Sequence, residues 1–144
     1  MNNKIITGIL EKDSYNEKGS FLSLLSKNGF YRHSISYKIK EMAKYLLKAN
    51  QISDIDKNEI DKIRKKGYAI NKLYWLNLLL TSVSEKEDRI VIDDLWEEDL
   101  YGEYVIPIVS DSILVPNIKF FKFPGESTEI KKWIKNVEKM YNTK

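Results

Sequence analysis

Four residues near the amino terminus, Gly8, Lys18, Gly19 and Ser20, are of the types that bind phosphate groups. In a phosphate-binding loop, four residues lie between the first glycine and a Gly-Lys-Ser or Gly-Lys-Thr triplet. Backbone N–H groups then surround the phosphates, the lysine reaches the outer ones, and the hydroxyl binds Mg²⁺. Here the ten residues 9–18 separate Gly8 from Gly19, and the lysine precedes the glycine. This spacing favours an ordinary loop between a strand and a helix over a nucleotide site.

Two carboxylates, Asp93 and Asp94, close the stretch 89–92, in which Arg89 is followed by three apolar residues. A short apolar run that ends in carboxylates is typical of a central parallel strand whose carboxyl end lies at a ligand site. In a catalytic site, Asp93 would hold Mg²⁺ with the hydroxyl of Ser20, and either aspartate is a candidate catalytic residue. The alternative is structural, because both residues would also serve to end the strand or to cap the next segment.

The segment from Asp93 to Glu103 combines six carboxylates with aromatic residues. Its spacing does not match an EF-hand loop, so a solvated acidic face is a simpler interpretation than a metal site. Trp96, Tyr101 and Tyr104 lie in or next to this segment, and aromatic residues are enriched in protein interfaces. These three residues are therefore candidate contacts for a protein partner.

The remaining composition limits the other kinds of site. The chain has no cysteine, and His33 is its only histidine, which argues against thiolate chemistry, a nucleophilic triad and a histidine metal site. His33 is therefore expected to be a packed or surface histidine and not a catalytic or metal-binding residue. Trp75 belongs to the apolar run 73–80 and is most simply a core residue, although an aromatic ring at the edge of a nucleotide cleft stacks on a base.

Length and charge predict a single domain over residues 1–144, with enough chain to bury a sizeable core. The net charge is +3, and arginine occurs only at Arg32, Arg64 and Arg89, so sequence-specific recognition of nucleic acid is not expected. No apolar run approaches the roughly 18 residues of a membrane span, and no membrane association is expected. The absence of cysteine favours a cytoplasmic location.

Strands and helices are predicted to alternate along the chain. The first half is expected to contain a strand over 4–8 stopped by Gly8, a helix from Ser20 to Gly29, a strand over 30–36 and a helix after Ser36. A short exposed helix within 51–67, capped by Asp54 or Asp56, and an apolar helix over 69–83 should follow. The rest is expected to contain a strand over 89–94, a last strand over 118–123 and a closing helix capped by Ser127 or Thr128. This order predicts an α/β domain of three layers, with a mostly parallel sheet and helices on both faces.

In this order the segments resemble a small P-loop nucleotide kinase, and most closely the phage and bacterial deoxynucleoside monophosphate kinases. The resemblance covers the first strand and glycine (4–8), the first helix to the substrate-side helix (20–47), the tryptophan helix and acidic strand (74–95), and the final strand and helix (118–141). For an active member it implies ATP and Mg²⁺ as cofactors. In an active kinase Arg32 and Lys38 would bind the substrate phosphate, and Ser34 and Trp75 are further candidate substrate contacts.

The chain departs from that family where catalysis depends on positive charge. The phosphate loop is stretched and reordered, and Leu95 stands where an arginine commonly follows the strand aspartate. The lid that supplies arginines would fall in residues 95–118, which contain no basic residue. One such arginine contributes on the order of 10³ to 10⁵ in rate, so these departures predict a weak or inactive enzyme.

Three functions follow from these observations. The first is a degenerate kinase-like protein that keeps the fold for binding, for which no cofactor is expected. The second is a non-catalytic interaction module, of the kind found in viruses and mobile elements, that binds a protein through Trp96, Tyr101 and Tyr104. The third is an active nucleotide kinase in which Lys18 and Ser20 still reach the phosphates and Asp93 or Asp94 holds Mg²⁺.

Overall fold

The structure, a computed structural model, describes residues 4–46, 55–110, 119–124 and 129–142. Its elements alternate between strand and helix over most of this length. In chain order they are β1 (Ile5–Leu10), α1 (Lys18–Lys27), β2 (Tyr31–His33), α2 (Ile35–Leu46), α3 (Lys57–Ile70), α4 (Tyr74–Ser82), β3 (Arg89–Leu95), a 3₁₀ segment (Glu97–Glu103), β4 (Ile106–Val109), β5 (Phe121–Lys122) and α5 (Ile130–Asn142).

The described strands form one sheet in the order β2-β3-β1-β4-β5, and every neighbouring pair is parallel. The prediction of an α/β fold with a parallel sheet is therefore confirmed. The connection that follows β1 leads towards β2 at one edge of the sheet. The connection that follows β3 leads in the opposite direction, towards β4. The carboxyl ends of β1 and β3 are therefore the topological switch point, where sheets of this kind bind ligands.

Apolar side chains cover both faces of the sheet, because neighbouring residues of a strand point to opposite faces. Ile5 and Val91 pack with residues of α1 and α5, whereas Leu10, Ile90 and Ile92 pack with residues of α2, α3 and α4. The helices therefore lie on the two faces as expected. Burial on both faces explains why the strand within 89–94 is a continuous apolar run.

β1 continues past Gly8 to Leu10, so the prediction that Gly8 ends the strand is wrong. A Cβ atom at Gly8 would lie 2.4 Å from the carbonyl oxygen of Ile92 and 2.6 Å from Cδ1 of Leu95. Glycine is needed here because β3 and the Leu95 side chain leave no room for a larger residue. This packing accounts for Gly8 without a phosphate ligand.

The boundaries of two predicted helices also change. α1 begins at Lys18, so Ser20 is its third residue and not its cap. The apolar helix expected over 69–83 is divided, because α3 ends at Ile70 and the side chain of Asn71 accepts a hydrogen bond from the N–H of Leu73, just before α4. Local turn chemistry at Asn71 therefore interrupts a continuous apolar pattern.

α3 is not the short exposed helix that its polar sequence predicts. It has 14 residues, and Asp56 caps it by accepting a hydrogen bond from the N–H of Asn58. Ile60, Arg64 and Tyr68 are buried on one face. This face packs against α2 and α4 in the core cluster, while the lysines of the helix face solvent.

The last third of the chain contains a strand that the sequence did not predict. β4 includes Pro107, which lacks an N–H group and weakens the strand signal, yet it pairs with β1 on one side and β5 on the other. The strand expected over 118–123 is shorter, since β5 comprises only Phe121 and Lys122. The predicted caps Ser127 and Thr128 lie outside the described residues.

Candidate functional site

The loop between β1 and α1, residues 11–17, is held in place by the buried carboxylate of Asp13. Asp13 is buried, and its carboxylate accepts hydrogen bonds from the N–H (3.0 Å) and hydroxyl (2.6 Å) of Ser110, at the end of β4, and from the N–H of Tyr15 (3.1 Å). The loop also carries Glu11 and Glu17. Three carboxylates close to the amino end of α1 oppose the binding of phosphate there.

The candidate phosphate-binding residues do not come together in one place. Lys18, Gly19 and Ser20 form the first turn of α1, whereas Gly8 lies inside the sheet. The ammonium of Lys18 lies 3.4 Å from the carbonyl oxygens of both Leu10 and Glu11, so it points back at the loop. A Cβ atom at Gly19 would meet nothing within 4 Å, so packing does not require glycine there.

A fully buried arginine on α3 connects α2, the end of β3 and the segment that follows β3. Arg64 donates from Nε to the hydroxyl of Tyr68 (2.9 Å) and from Nη1 to the hydroxyl of Ser36 (3.1 Å). Its Nη2 donates to the carbonyl of Asp94 (2.7 Å) and to the carboxylate of Asp99 (3.0 Å). A buried charge needs such partners, and Arg64 obtains them from α2, α3 and the segment after β3.

The neighbours of Arg64 complete this network. The Trp96 ring centre lies 4.4 Å from the Arg64 Cζ, and its indole N–H donates to Glu11 (3.2 Å). Burial and the nearby Asp99 raise the pKa of Tyr68, so the hydroxyl stays protonated and donates to the Asp99 carboxylate at 2.6 Å. Asp99 is fully buried, so the prediction of a solvated acidic face is wrong at this position.

The sequence contains one weak signal for this network. Arg64 is an arginine within a helix whose other basic residues are lysines, and a tyrosine follows four positions later, on the same face. Sequence reasoning missed both Arg64 and Asp99, because burial of a charged residue depends on partners from distant segments.

Asp94 caps α2 from the neighbouring strand. Its carboxylate accepts hydrogen bonds from the N–H groups of Ile35 (2.8 Å) and Ser36 (2.9 Å) and from the hydroxyl of Ser34 (2.8 Å). A carboxylate at the amino end of a helix satisfies free N–H groups and interacts favourably with the helix dipole. Asp94 thus fills the position where the amino end of α2 would otherwise receive an anion.

Asp93 is paired with an arginine. Its Oδ2 lies 3.3 Å from Nη2 of Arg32, and both side chains are partly exposed. Burial, and then the neighbouring Asp94, raise the pKa of Asp93, while Arg32 opposes that shift. Ser20, its proposed partner for Mg²⁺, lies on α1 and is exposed. The structure thus places Asp93 beside Arg32, and the magnesium site that joins Asp93 to Ser20 stays a prediction.

The described residues also lack the side-chain arrangement that a metal site requires. Over residues 4–46, 55–110, 119–124 and 129–142, no group of three or more histidine, aspartate or glutamate side chains is arranged to hold a metal ion.

A cleft of about 640 Å³ lies beside β2 and the amino-terminal half of α2, and we call it the β2 cleft. Arg32, Ser34 and Lys38, the predicted substrate contacts, all line it, together with Asp93. Its other lining residues are His33, Ser36, Tyr37, Lys40, Glu41, Leu79 and Ser82. The structure therefore brings these predicted contacts to one concave surface.

Two further residues define the surroundings of the β2 cleft. His33 Nε2 lies 2.7 Å from the carboxylate of Glu87. Burial opposes ionisation of Glu87, but hydrogen bonds from the Ser84 N–H and from His33 outweigh it and lower the pKa of Glu87. Trp75, the fourth predicted substrate contact, is not in the cleft, because it is buried in the core with its indole N–H on the carbonyl of Arg64 (2.8 Å).

A second cleft, of about 390 Å³, lies at the switch point between the ends of β1 and β3. Leu10, Leu95 and Trp96 supply its apolar lining, and Glu11, Lys12, Glu97 and Glu98 complete it. With three carboxylates and one lysine, this cleft is unsuited to a phosphate.

The predicted partner-binding aromatics are also separated. Tyr101 and Tyr104 are 59% and 54% exposed, and the ammonium of Lys72 lies 4.9 Å from the Tyr101 ring centre. Gly102, with a φ of 82°, provides the left-handed turn between them. Trp96 instead packs on Arg64, so only the two tyrosines remain as an exposed aromatic pair.

No described helix combines the length and the apolar character needed to cross a membrane. Comparisons with protein-family models, with curated proteins and with solved structures found no match.

Proposed function

We propose that this protein is a degenerate nucleotide-kinase-like domain that binds a mononucleotide, or a similar small phosphate ester, in the β2 cleft without transferring phosphate from ATP. The observation that carries the proposal is the grouping of Arg32 and Lys38 in one cleft, next to the carboxyl end of β3. If the protein were an active nucleotide kinase, Arg32 and Lys38 would bind the substrate phosphate.

The chemistry of the β2 cleft supports an anionic ligand. Its lining has three permanent cations, Arg32, Lys38 and Lys40, against two carboxylates, Asp93 and Glu41. The fork of an arginine suits a phosphate group, and the present bond to Asp93 is long, at 3.3 Å, and partly exposed. A phosphate can therefore compete for this guanidinium.

The shape of the β2 cleft supports a ligand larger than phosphate. Its volume of about 640 Å³ lies within the usual range for small-molecule sites. Tyr37 is 52% exposed at the cleft and offers an aromatic face on which a base can stack.

The other half of a kinase site lacks the groups for phosphoryl transfer. Around the start of α1, Glu11, Asp13 and Glu17 oppose the triphosphate, and Lys18 points at backbone carbonyls. Transfer depends on positive charge around the moving phosphate, which these residues do not supply. Binding without transfer is the function that remains.

Calorimetric titration with nucleoside monophosphates tests the proposal. We expect a dissociation constant between about 10 µM and 1 mM, weakened at least about tenfold by Arg32→Ala and by Lys38→Ala. Lys66→Ala is the matched control, because Lys66 is exposed on α3 and outside the cleft. No binding by the unaltered protein, or equal weakening by Lys66→Ala, would refute the proposal.

The exposed pair Tyr101 and Tyr104 favours a second candidate function, a non-catalytic module that binds a protein partner. Aromatic residues that remain exposed are unusual and are enriched in interfaces. The double variant Tyr101→Ala/Tyr104→Ala should lose partner proteins that the unaltered chain captures, while Tyr31→Ala, which removes another exposed tyrosine, should keep them. Retained capture by the double variant would exclude this function.

A further inference from the structure

The closing helix α5 presents a continuous row of lysines to solvent. Lys131, Lys132, Lys135 and Lys139 are all exposed. At 100° per residue these four positions fall within about 100° of the helix circumference, and they extend about 12 Å along its axis. We call them the α5 lysine face.

The opposite face of α5 packs in the core of the protein. Trp133, Ile134 and Val137 are buried in the core cluster shared with α1 and the sheet. Glu138, the carboxylate of α5, is ion-paired with Arg89 at the start of β3. The helix is therefore fixed on the sheet, and its lysines are presented by a rigid support.

The neighbouring segment adds to this positive charge. Lys119 donates to the carbonyl of Met140 near the end of α5 (3.1 Å), and the carbonyl of Lys122 accepts from the Trp133 indole (2.8 Å). Residues 119–124 and 129–142 contain six lysines and two glutamates in all. These two ranges therefore carry a net positive charge, and they lie far in sequence from the acidic segment at 93–103.

We propose that the α5 lysine face binds the phosphodiester backbone of a double-stranded nucleic acid without sequence preference. A rigid row of ammonium groups about 12 Å long can contact three or four phosphates and release their counterions. Lysine acts as a point charge and lacks the fork that reads base edges, so the contact carries no sequence information.

The structure favours a duplex over a membrane or a single strand. A helix that lies on a membrane inserts an apolar face, whereas the apolar face of α5 is packed in the core. Proteins that bind single strands offer exposed aromatic rings for base stacking, whereas the α5 tryptophan, Trp133, is buried. The α5 lysine face offers positive charge and no stacking surface. This suits the phosphodiester backbone of a duplex, whose phosphates are already ordered.

This interaction is independent of the β2 cleft. α5 packs with the cluster on one face of the sheet, and α2, which lines the cleft, packs with the cluster on the other. Variants of the lysine face should leave mononucleotide titrations unchanged, so the two proposals can fail separately.

Fluorescence anisotropy of a labelled DNA duplex, and of an RNA duplex, tests the proposal with the full chain. The triple variant Lys131→Gln/Lys135→Gln/Lys139→Gln should weaken binding at least about tenfold and reduce the slope of log K against log salt by about 2 to 3. The matched control, Lys62→Gln/Lys65→Gln/Lys66→Gln, removes three exposed lysines from α3 and should change both quantities much less.

The two duplexes should bind about equally and irrespective of sequence. The proposal is wrong if neither duplex binds at about 50 mM salt. It is also wrong if the α3 control weakens binding as much as the α5 variant, since net charge alone would then explain the result. Binding to phosphatidylserine vesicles without duplex binding would assign the lysine face to a lipid surface and overturn the proposal.

Discussion

The guanidinium of Arg64 donates a 3.0 Å hydrogen bond to the carboxylate of Asp99, and both side chains are completely buried. This ion pair joins α3 to the 3₁₀ segment. Through Ser36 and the Asp94 carbonyl, Arg64 also contacts the start of α2 and the end of β3. One residue thus fixes the elements that surround both clefts.

Arg64→Met should lower the free energy of unfolding by about 3 to 5 kcal/mol, because it leaves the Asp99 carboxylate buried without its cation. Urea denaturation followed by circular dichroism measures this change. Lys65→Met, at an exposed neighbouring position on α3, should change stability by less than about 0.5 kcal/mol. A loss below about 1 kcal/mol for Arg64→Met would mean that water or a rearranged side chain replaces the guanidinium.

Two glycines in helices should respond in opposite directions to alanine. A Cβ atom at Gly67 would lie 2.2 Å from Nε1 of Trp75, whereas at Gly19 it would meet nothing within 4 Å. Gly67→Ala should therefore cost about 1 to 3 kcal/mol through overpacking, and Gly19→Ala should add about 0.5 to 1 kcal/mol through helix propensity. Thermal denaturation of both variants provides the comparison, and destabilisation by Gly19→Ala would contradict the position assigned to α1.

The elements that the sequence predicted well are those with strong apolar periodicity. Local patterns predict the strand that contains Asp93 and Asp94 and the amphipathic α2. The alternation of strands and helices predicts the parallel sheet. β4 was missed because Pro107 weakens its pattern, and its pairing with β1 is a long-range contact.

The candidate site was predictable only where residues lie close together in sequence. Arg32, Ser34 and Lys38 belong to one β2 to α2 junction, so their grouping follows from local spacing. The roles of Asp94 and Arg64 depend on contacts across about 30 to 60 residues. Burial and partners at that separation are set by tertiary packing, which a single sequence does not display.

Asp94→Ala should expose an anion site at the start of α2. The variant leaves the N–H groups of Ile35 and Ser36 without their acceptor and should lose about 1 to 3 kcal/mol of stability. Inorganic phosphate should then raise the melting temperature of the variant more than that of the unaltered protein, with chloride at equal ionic strength as the control. An identical response of both proteins to phosphate would show that the site collapses or stays closed.

The hydrogen bond between Glu87 and His33 predicts a pH dependence of stability. The pKa of Glu87 is lowered in the folded state, so its contribution is present above the unfolded value of 4.5 and is lost as the pH falls through the lower folded value. Glu87→Gln should cost about 0.5 to 1 kcal/mol at neutral pH and almost nothing once the pH lies below the folded pKa of Glu87. Glu85→Gln, at an exposed position, is the control. A pH-independent difference would assign the effect to packing.

Binding of Mg-ATP separates a degenerate site from an active kinase. With the β1 to α1 loop closed by Asp13 and the Lys18 ammonium directed at backbone carbonyls, the amino end of α1 remains as the main attraction for the triphosphate. The helix dipole supplies about 0.3 to 1 kcal/mol. This is less than the several kcal/mol needed to immobilise the ligand. We therefore expect a dissociation constant weaker than about 0.1 mM, unchanged by Lys18→Ala. A low-micromolar constant that collapses in the Lys18→Ala variant, measured by calorimetric titration, would instead support an active kinase whose phosphate loop rearranges when ATP binds.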